Sequence, residues 1–229
     1  MRLLAIDTAL DACSVAVLDG EGASARLTEA SEVLRRGHAE RLMGMIGEVT
    51  AEASIAFSEL DRVVVTVGPG SFTGLRVGLS AARGIALVVH VPAVGVSTLA
   101  ALAARARRES APERSGAAIW ATIAGRGADV YIQGFSADGT PCDAARAVAA
   151  AALGDELPEG ACLAGNGAEK IVAATQRGDL TVLHAHGWPA IADVARLGAL
   201  ADPGTSRPEP LYLRAPDAAP ARRDARLLA

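Results

Sequence analysis

The segment VTVGPGSFTGLRVG, residues 65–78, constrains the fold of this chain more than any other, because it leads a buried strand through a run of glycines into a helix. The strand is RVVVTV (62–67), β-branched residues without polar alternation, as expected of a strand covered on both faces and lying centrally in a sheet. A helical run follows over 72–89. Such a junction aims several backbone N–H groups at one spot, where the helix dipole also favours an anion. Gly70, Ser71, Thr73 and Gly74 are therefore candidate contacts for a phosphate or nucleotide. The alternative is that the glycines only make a tight strand-to-helix turn, with Ser71 or Thr73 as its N-cap.

Two familiar phosphate motifs fail here. A Walker loop needs Lys and Ser/Thr after its last glycine, where this chain has Leu75 and Arg76. A dinucleotide fingerprint starting at Gly68 and Gly70 would need its third glycine at Thr73. The helix carries a second message, since Gly74, Gly78, Ala82 and Ala86 recur every fourth residue as a column of small side chains that lets another backbone approach. Its charged residues, Arg76 and Arg83, lie seven apart and on nearly one face. Either the column is ordinary core packing, or so apolar a helix is covered on a second side by the helix at 38–53 or by a partner protein.

Around this segment the chain reads as α/β. LLAID, CSVAVLD and ASARLTEA, within residues 2–30, form an antiparallel meander with DGEG as the second turn. Leu42, Met45, Ile46 and Val49 recur at helical spacing over 38–53. PAVGV is a short strand, and Ser97 caps a helix running through Arg108. The charged stretch 105–116 reads as a solvated connection. The order then partly repeats with AAIWATIA, ADVYIQGF, a turn at ADGT, a helical patch over 144–153, ACLAG and a helix from Ala168. A repeated strand-rich start is the mark of an internally duplicated α/β fold. The expected division is an N-terminal lobe over 1–103, a smaller C-terminal lobe over 104–214 and a frayed Ala, Pro and Arg tail over 215–229.

Composition narrows the function classes. Of 229 residues, 51% are hydrophobic, enough for one large or two small cores, and the net charge of −4 provides no positive field for nonspecific nucleic-acid binding. Cys13, Cys142 and Cys162 make an odd set without a CxxC pair, which argues against a disulfide framework or zinc knuckle and for a cytoplasmic setting. Asp7 and Asp11 interrupt the apolar start before a signal-peptide core is complete, and the apolar stretch 84–96 is broken by His90 and Pro92, so no membrane association is expected.

LLAIDTALDACSVAVLDG, RRGHAERL, VVVTVGPGSFTGLRVGLSAARGIAL, PAVGVSTLAALA, DVY, GNG and PLYLR, in this order, resemble the TsaB (YeaZ) family, and the first hundred residues resemble its catalytic relative TsaD more weakly. The resemblance implies two ribonuclease-H-like lobes of the acetate kinase, actin and hsp70 type. It also implies a part in making the threonylcarbamoyladenosine of tRNAs that read codons starting with A. In that pathway TsaC makes a threonylcarbamoyl adenylate, TsaD transfers the group, TsaB pairs with TsaD, and the ATPase TsaE joins them. TsaB-like chains contact TsaD through two first-lobe helices, which places His38, Glu40, Leu42, Met45, Arg76, Gly78, Leu79, Ala82 and Arg83 among the candidate interface residues.

Departures from the relatives bear on chemistry. Where TsaD-like proteins place two metal-binding histidines four apart, this chain has Thr98 and Leu102, neither of which replaces imidazole as a ligand. His38, His90, His184 and His186 contain no HxxxH pair, and the last two read as solvated or capping residues on one strand face. ATP-using members of the wider fold grip phosphate with glycine and hydroxyl residues after an acidic one; here Asp7 and Thr8, the corresponding candidates, are followed by ALDAC without glycine. Neither Ser71 nor Cys13 has an identifiable base. The expectation is thus a noncatalytic chain with no catalytic or metal residues and no cofactor of its own, ATP, ADP and metal entering through its partners. A homodimer when alone, an independent weak ATPase or a glycoprotease-like peptidase are the alternatives, with tRNA touched only indirectly.

Overall fold

The computed structural model describes residues 1–34, 36–111 and 116–214, so the tail expected over 215–229 lies outside the described residues, as does the side chain of His184. β1 (Arg2–Asp7) and β2 (Ala12–Asp19) pair antiparallel from Arg2 opposite Asp19 to Asp7 opposite Ser14, and β2 pairs in turn with β3 (Arg26–Val33). β3 is shifted by three residues from the expected strand because a short 3-10 turn at Gly22–Ser24 lengthens the connection and the strand then pairs with all of β2. β4 (Arg62–Gly68) and β5 (Ala93–Ser97) add in parallel, completing the order β3-β2-β1-β4-β5.

The unbroken valine run of β4 has a direct cause. Val63 and Val65 point to a core built by α1 (His38–Ala53) and α2 (Phe72–Val89), while Val64 points to the opposite face. That second core holds Leu3, Ala5, Val94 and Ala101 of α3 (Thr98–Glu109), which starts at an N-cap where Ser97 Oγ accepts from Ala100 N. By length and composition α2 is apolar enough to cross a bilayer, but Leu75, Leu79 and its column of small residues are buried on the sheet.

The second sheet repeats the plan. β6 (Ile119–Ala124), β7 (Asp129–Phe135) and β8 (Arg146–Ala149) form the meander, and β9 (Cys162–Ala164) and β10 (Thr181–His184) add in parallel, giving β10-β9-β6-β7-β8. Both lobes therefore have the ribonuclease-H-like order of a three-strand meander flanked by two parallel strands. α3 lies between them, with Ala101 on the first sheet and Leu99, Leu102, Ala103 and Ala106 against β6, β7 and β9 of the second. The far face of the second sheet is covered by α4 (Leu153–Glu156) and α5 (Ala168–Thr175).

Two expectations need correction. The helical patch over 144–153 is mostly β8 and a 3-10 turn, because pairing along the edge of β7 outweighs the helix preference of alanine, a fraction of a kcal/mol per residue. The charged stretch from 105 onward is not a solvated linker at its start: residues 105–109 are the last turn of α3, where Arg108 makes a two-pronged contact to the buried carboxylate of Asp193 at 2.8 and 3.1 Å. Arg107 Nη2 likewise donates to Ser136 O at 2.6 Å.

The sequence reading contains no α6 (Ile191–Leu200). Ile191, Val194 and Ala195 pack on the first sheet beside α3, although they fall within the span expected to form the second lobe. Arg62 of β4 holds the end of α6, its guanidinium donating to the carbonyls of Gly198 and Ala201 at 2.6 and 2.7 Å. Gly198 allows the close approach: a Cβ there would lie 2.2 Å from Val64 Cγ1. Gly198→Ala should therefore lower stability by about 1–3 kcal/mol, since a branched, buried Val64 cannot yield cheaply. A fall in the thermal unfolding midpoint checks this, and an unchanged midpoint would contradict the packing.

Candidate functional site

The glycine loop between β4 and α2 lies against the turn that joins β1 to β2. Ser71 N donates to Ala9 O at 2.7 Å, and the Thr8 hydroxyl donates to Gly74 O at 2.7 Å. Ser71 Oγ accepts from Gly74 N at 3.3 Å as the helix N-cap. A Cβ on Gly70 would stand 2.4 Å from Ala9 O, on Gly74 2.1 Å from Thr8 O, and on Gly78 2.5 Å from Thr8 Oγ1. The small-residue column is thus required by the chain's own fold, and its Gly78 and Ala82 are not surface groups.

Asp7 and Thr8 present no surface for a phosphate, Asp7 being 0% exposed. Asp7 Oδ1 accepts from Thr66 Oγ1 at 2.6 Å and from Ala9 N at 3.0 Å, while Oδ2 has no hydrogen-bond partner among the described residues. Burial pushes this carboxyl up to about 6, against the smaller pull of those two donors. What stays open beside the loop is a cleft of about 480 Å³, where Ser71, Thr73 and Gly74 meet His38, Glu40 and Arg36. His38 Nε2 donates across it to Leu10 O at 3.1 Å, so this residue begins α1 and also ties it to the β1–β2 turn. The sequence reading kept His38 and Glu40 in one set and Ser71, Thr73 and Gly74 in another; the fold brings them to one cleft.

The candidate interface residues divide by helical phase. Leu42, Met45, Leu79, Gly78 and Ala82 are buried in the core under α1 and α2, because the apolar period that marks them is the stripe facing the sheet. Within this chain they are core residues, the ordinary-packing alternative left open for the small-residue column. Arg76 is exposed and lies over the Phe72 ring, 3.8 Å from its centroid, and Arg83 Nε donates to Pro208 O at 3.0 Å. The outward faces carry residues the sequence reading missed: Met43 is 55% and Phe72 52% exposed. With Ala39, Val77 and Ala81 they line a groove of about 660 Å³ between the two helices. Ala39 and Met43, and likewise Phe72 and Arg76, are four apart along the flanks of the core stripes, but neither pair repeats as an apolar pattern that the sequence alone would mark.

Elsewhere, Thr98 and Leu102 are buried, Leu102 in the core between the lobes. Among the described residues no three His, Cys, Asp or Glu side chains group together as metal ligands would. Cys13 is buried, and its thiol is pushed up to about 11 by that burial. The raised Asp7 carboxyl has a consequence for pH. Because the folded chain holds the proton up to about 6 while an unfolded aspartate releases it near 3.8, stability falls as pH rises through that window. Asp7→Asn, which keeps the Oδ1 acceptor without charge, should raise the thermal midpoint at pH 8, with the gain shrinking toward pH 4 in parallel melts. A gain independent of pH would contradict this.

Comparison with known proteins fits this geometry. A family model described as TsaD, tRNA N6-adenosine threonylcarbamoyltransferase, matches residues 30–197. The tRNA threonylcarbamoyladenosine biosynthesis protein TsaB of Escherichia coli is 35% identical over 138 residues, covering 60% of this chain. That match spans about half, 56%, of the Escherichia coli protein's length. Two solved structures from Pseudomonas aeruginosa match more fully. An uncharacterized protein with similarity to peptidase YeaZ superposes with a TM-score of 0.77 at 30% identity, over 93% of this chain and 99% of that one. YeaZ itself superposes with a TM-score of 0.74 at 28% identity over the same shares. With the family model matched over most of the chain and nearly the whole length of the YeaZ-like structures in common, the chain belongs to the TsaB (YeaZ) family.

Proposed function

We propose that this chain is a noncatalytic partner that binds and activates TsaD for transfer of threonylcarbamoyl to the N6 of the anticodon-adjacent adenosine in tRNAs reading codons that start with A. The observation that carries the reading is the outer face of α1 and α2, where Met43 and Phe72 stand exposed around an apolar groove. Clustered exposed apolar side chains beside an arginine are the composition of a protein interface. The TsaB relative named for threonylcarbamoyladenosine biosynthesis supports the pathway, and the match to the TsaD model supports a shared ancestry with the partner.

The absence of independent chemistry has its own support. The glycine loop is closed on the β1–β2 turn, the Ser71 hydroxyl caps α2, and Cys13 is buried with its thiol held protonated. Thr98 and Leu102, which the resemblance sets at the metal-binding positions of TsaD-like proteins, are buried, and neither side chain can replace imidazole as a ligand. In this reading the chain needs no cofactor of its own; ATP, ADP and metal enter through TsaD and TsaE, tRNA is held by the assembly, and the complex works in the cytoplasm. The net charge of −4 agrees with indirect contact to tRNA.

The purified chain alone should transfer no threonylcarbamoyl, and transfer should appear when TsaD, TsaC, TsaE and ATP are added; transfer by the isolated chain would overturn the proposal. Met43→Glu, which sets a charge on the groove, should abolish co-elution with TsaD in size-exclusion chromatography while leaving the fold intact by circular dichroism. Undiminished co-elution would remove the helix-pair face from the proposal, and a dimer of this chain that TsaD does not displace would point to self-association instead.

A further inference from the structure

Residues 202–214 belong to no helix or strand, yet they are held along their length. Gly95 N donates to Ser206 O at 2.9 Å and Leu211 N donates to Val67 O at 2.7 Å, so this strap runs beside β5 and the end of β4. Arg83 of α2 grips it at Pro208 O. The approach is close enough that a Cβ on Gly95 would meet Arg207 O at 2.5 Å. Beyond the grip, the Tyr212 ring leans on Phe72, with centroids 5.4 Å apart and planes tilted by 34°. Arg214 then reaches the second lobe, 3.6 Å from Asp129.

The chain has only three Phe, two Tyr and two Trp, so two aromatic side chains both near half exposed and in contact call for a reason. Phe72 is the first residue of α2 and borders the α1–α2 groove. Left alone, a half-exposed ring at a helix start samples several rotamers, and ordering it on association weakens binding. Here Arg76 covers one face and Tyr212 leans against the ring. We infer that the strap is a positioning element of the docking face: Tyr212, anchored through Pro208 and Leu211, holds Phe72 and Arg76 in the arrangement that closes one end of the groove. This rests on the reading that the face receives TsaD.

Calorimetric titration of the full chain with TsaD tests it. Tyr212→Ala should weaken binding about three- to tenfold, whereas Tyr212→Phe, which keeps the ring contact, should bind as the unaltered chain does. Arg83→Ala, which frees the strap at its other hold, should weaken binding in the same direction. In a Phe72→Ala background both changes should have no further effect, because there is no ring left to position. Unchanged affinity for Tyr212→Ala, or losses that multiply with Phe72→Ala, would overturn the positioning role. Met43→Glu separates the two claims: if it abolishes binding while Tyr212→Ala does not, the docking face stands and the strap's role falls, and if it has no effect both fall.

Discussion

Two short hydrogen bonds, Ser71 N to Ala9 O and Thr8 Oγ1 to Gly74 O, hold the N-terminus of α2 against the turn between β1 and β2. They form only because Gly70, Gly74 and Gly78 leave no Cβ between the helix and the turn. Once the helix is seated this way its rotation is set. The small column faces Ile6, Thr8 and Val65, and Phe72, Arg76 and Val77 face away from the sheet. The same contact engages the Ser71 backbone N–H, one of the donors that such a loop could offer a phosphate, so one packing decision ties down part of the loop and fixes which face of α2 points outward.

A second consequence concerns the lobes. α3 is shared by both sheets, α6 returns from the second half of the chain to the first sheet, and Arg108 bonds to Asp193 to join the two helices. Asp193 is the buried member and also accepts from Arg196 at 3.2 Å, so without Arg108 the carboxylate would keep one of its two guanidinium partners but lose the tie between the helices. The strap over 206–212 adds a further tie across the top of β4 and β5. The surface next to α2 is therefore supported by segments far apart in the chain.

Much of this was legible in the sequence where local pattern and tertiary role agree. The valine run of β4, the helices at 38–53 and 72–89, the Ser97 cap and the meanders all follow from periodicity and turn chemistry. The family's motifs gave the fold class as well. Two kinds of feature were not legible. Helical periodicity marks the buried stripe, so it pointed to Leu42, Met45, Leu79 and Ala82 and away from Met43 and Phe72, which do not repeat as an apolar pattern. Long-range returns such as α6 and the strap depend on shape rather than composition; the spacing of Ile191, Val194, Ala195 and Gly198 suggests a helix, but only Val64 opposite Gly198 shows where it packs. The alanines of β8 are the converse case, in which strand pairing prevails over a helical composition.

The central claim is that the outer face of α1 and α2 is where TsaD binds. Amide hydrogen exchange of the chain, with and without TsaD, tests it most directly. The account predicts slower exchange confined to the first turns of α1 and α2 and to the strap around Tyr212, with the second sheet unchanged. Protection centred on β6 to β10, with none in either helix, would contradict it.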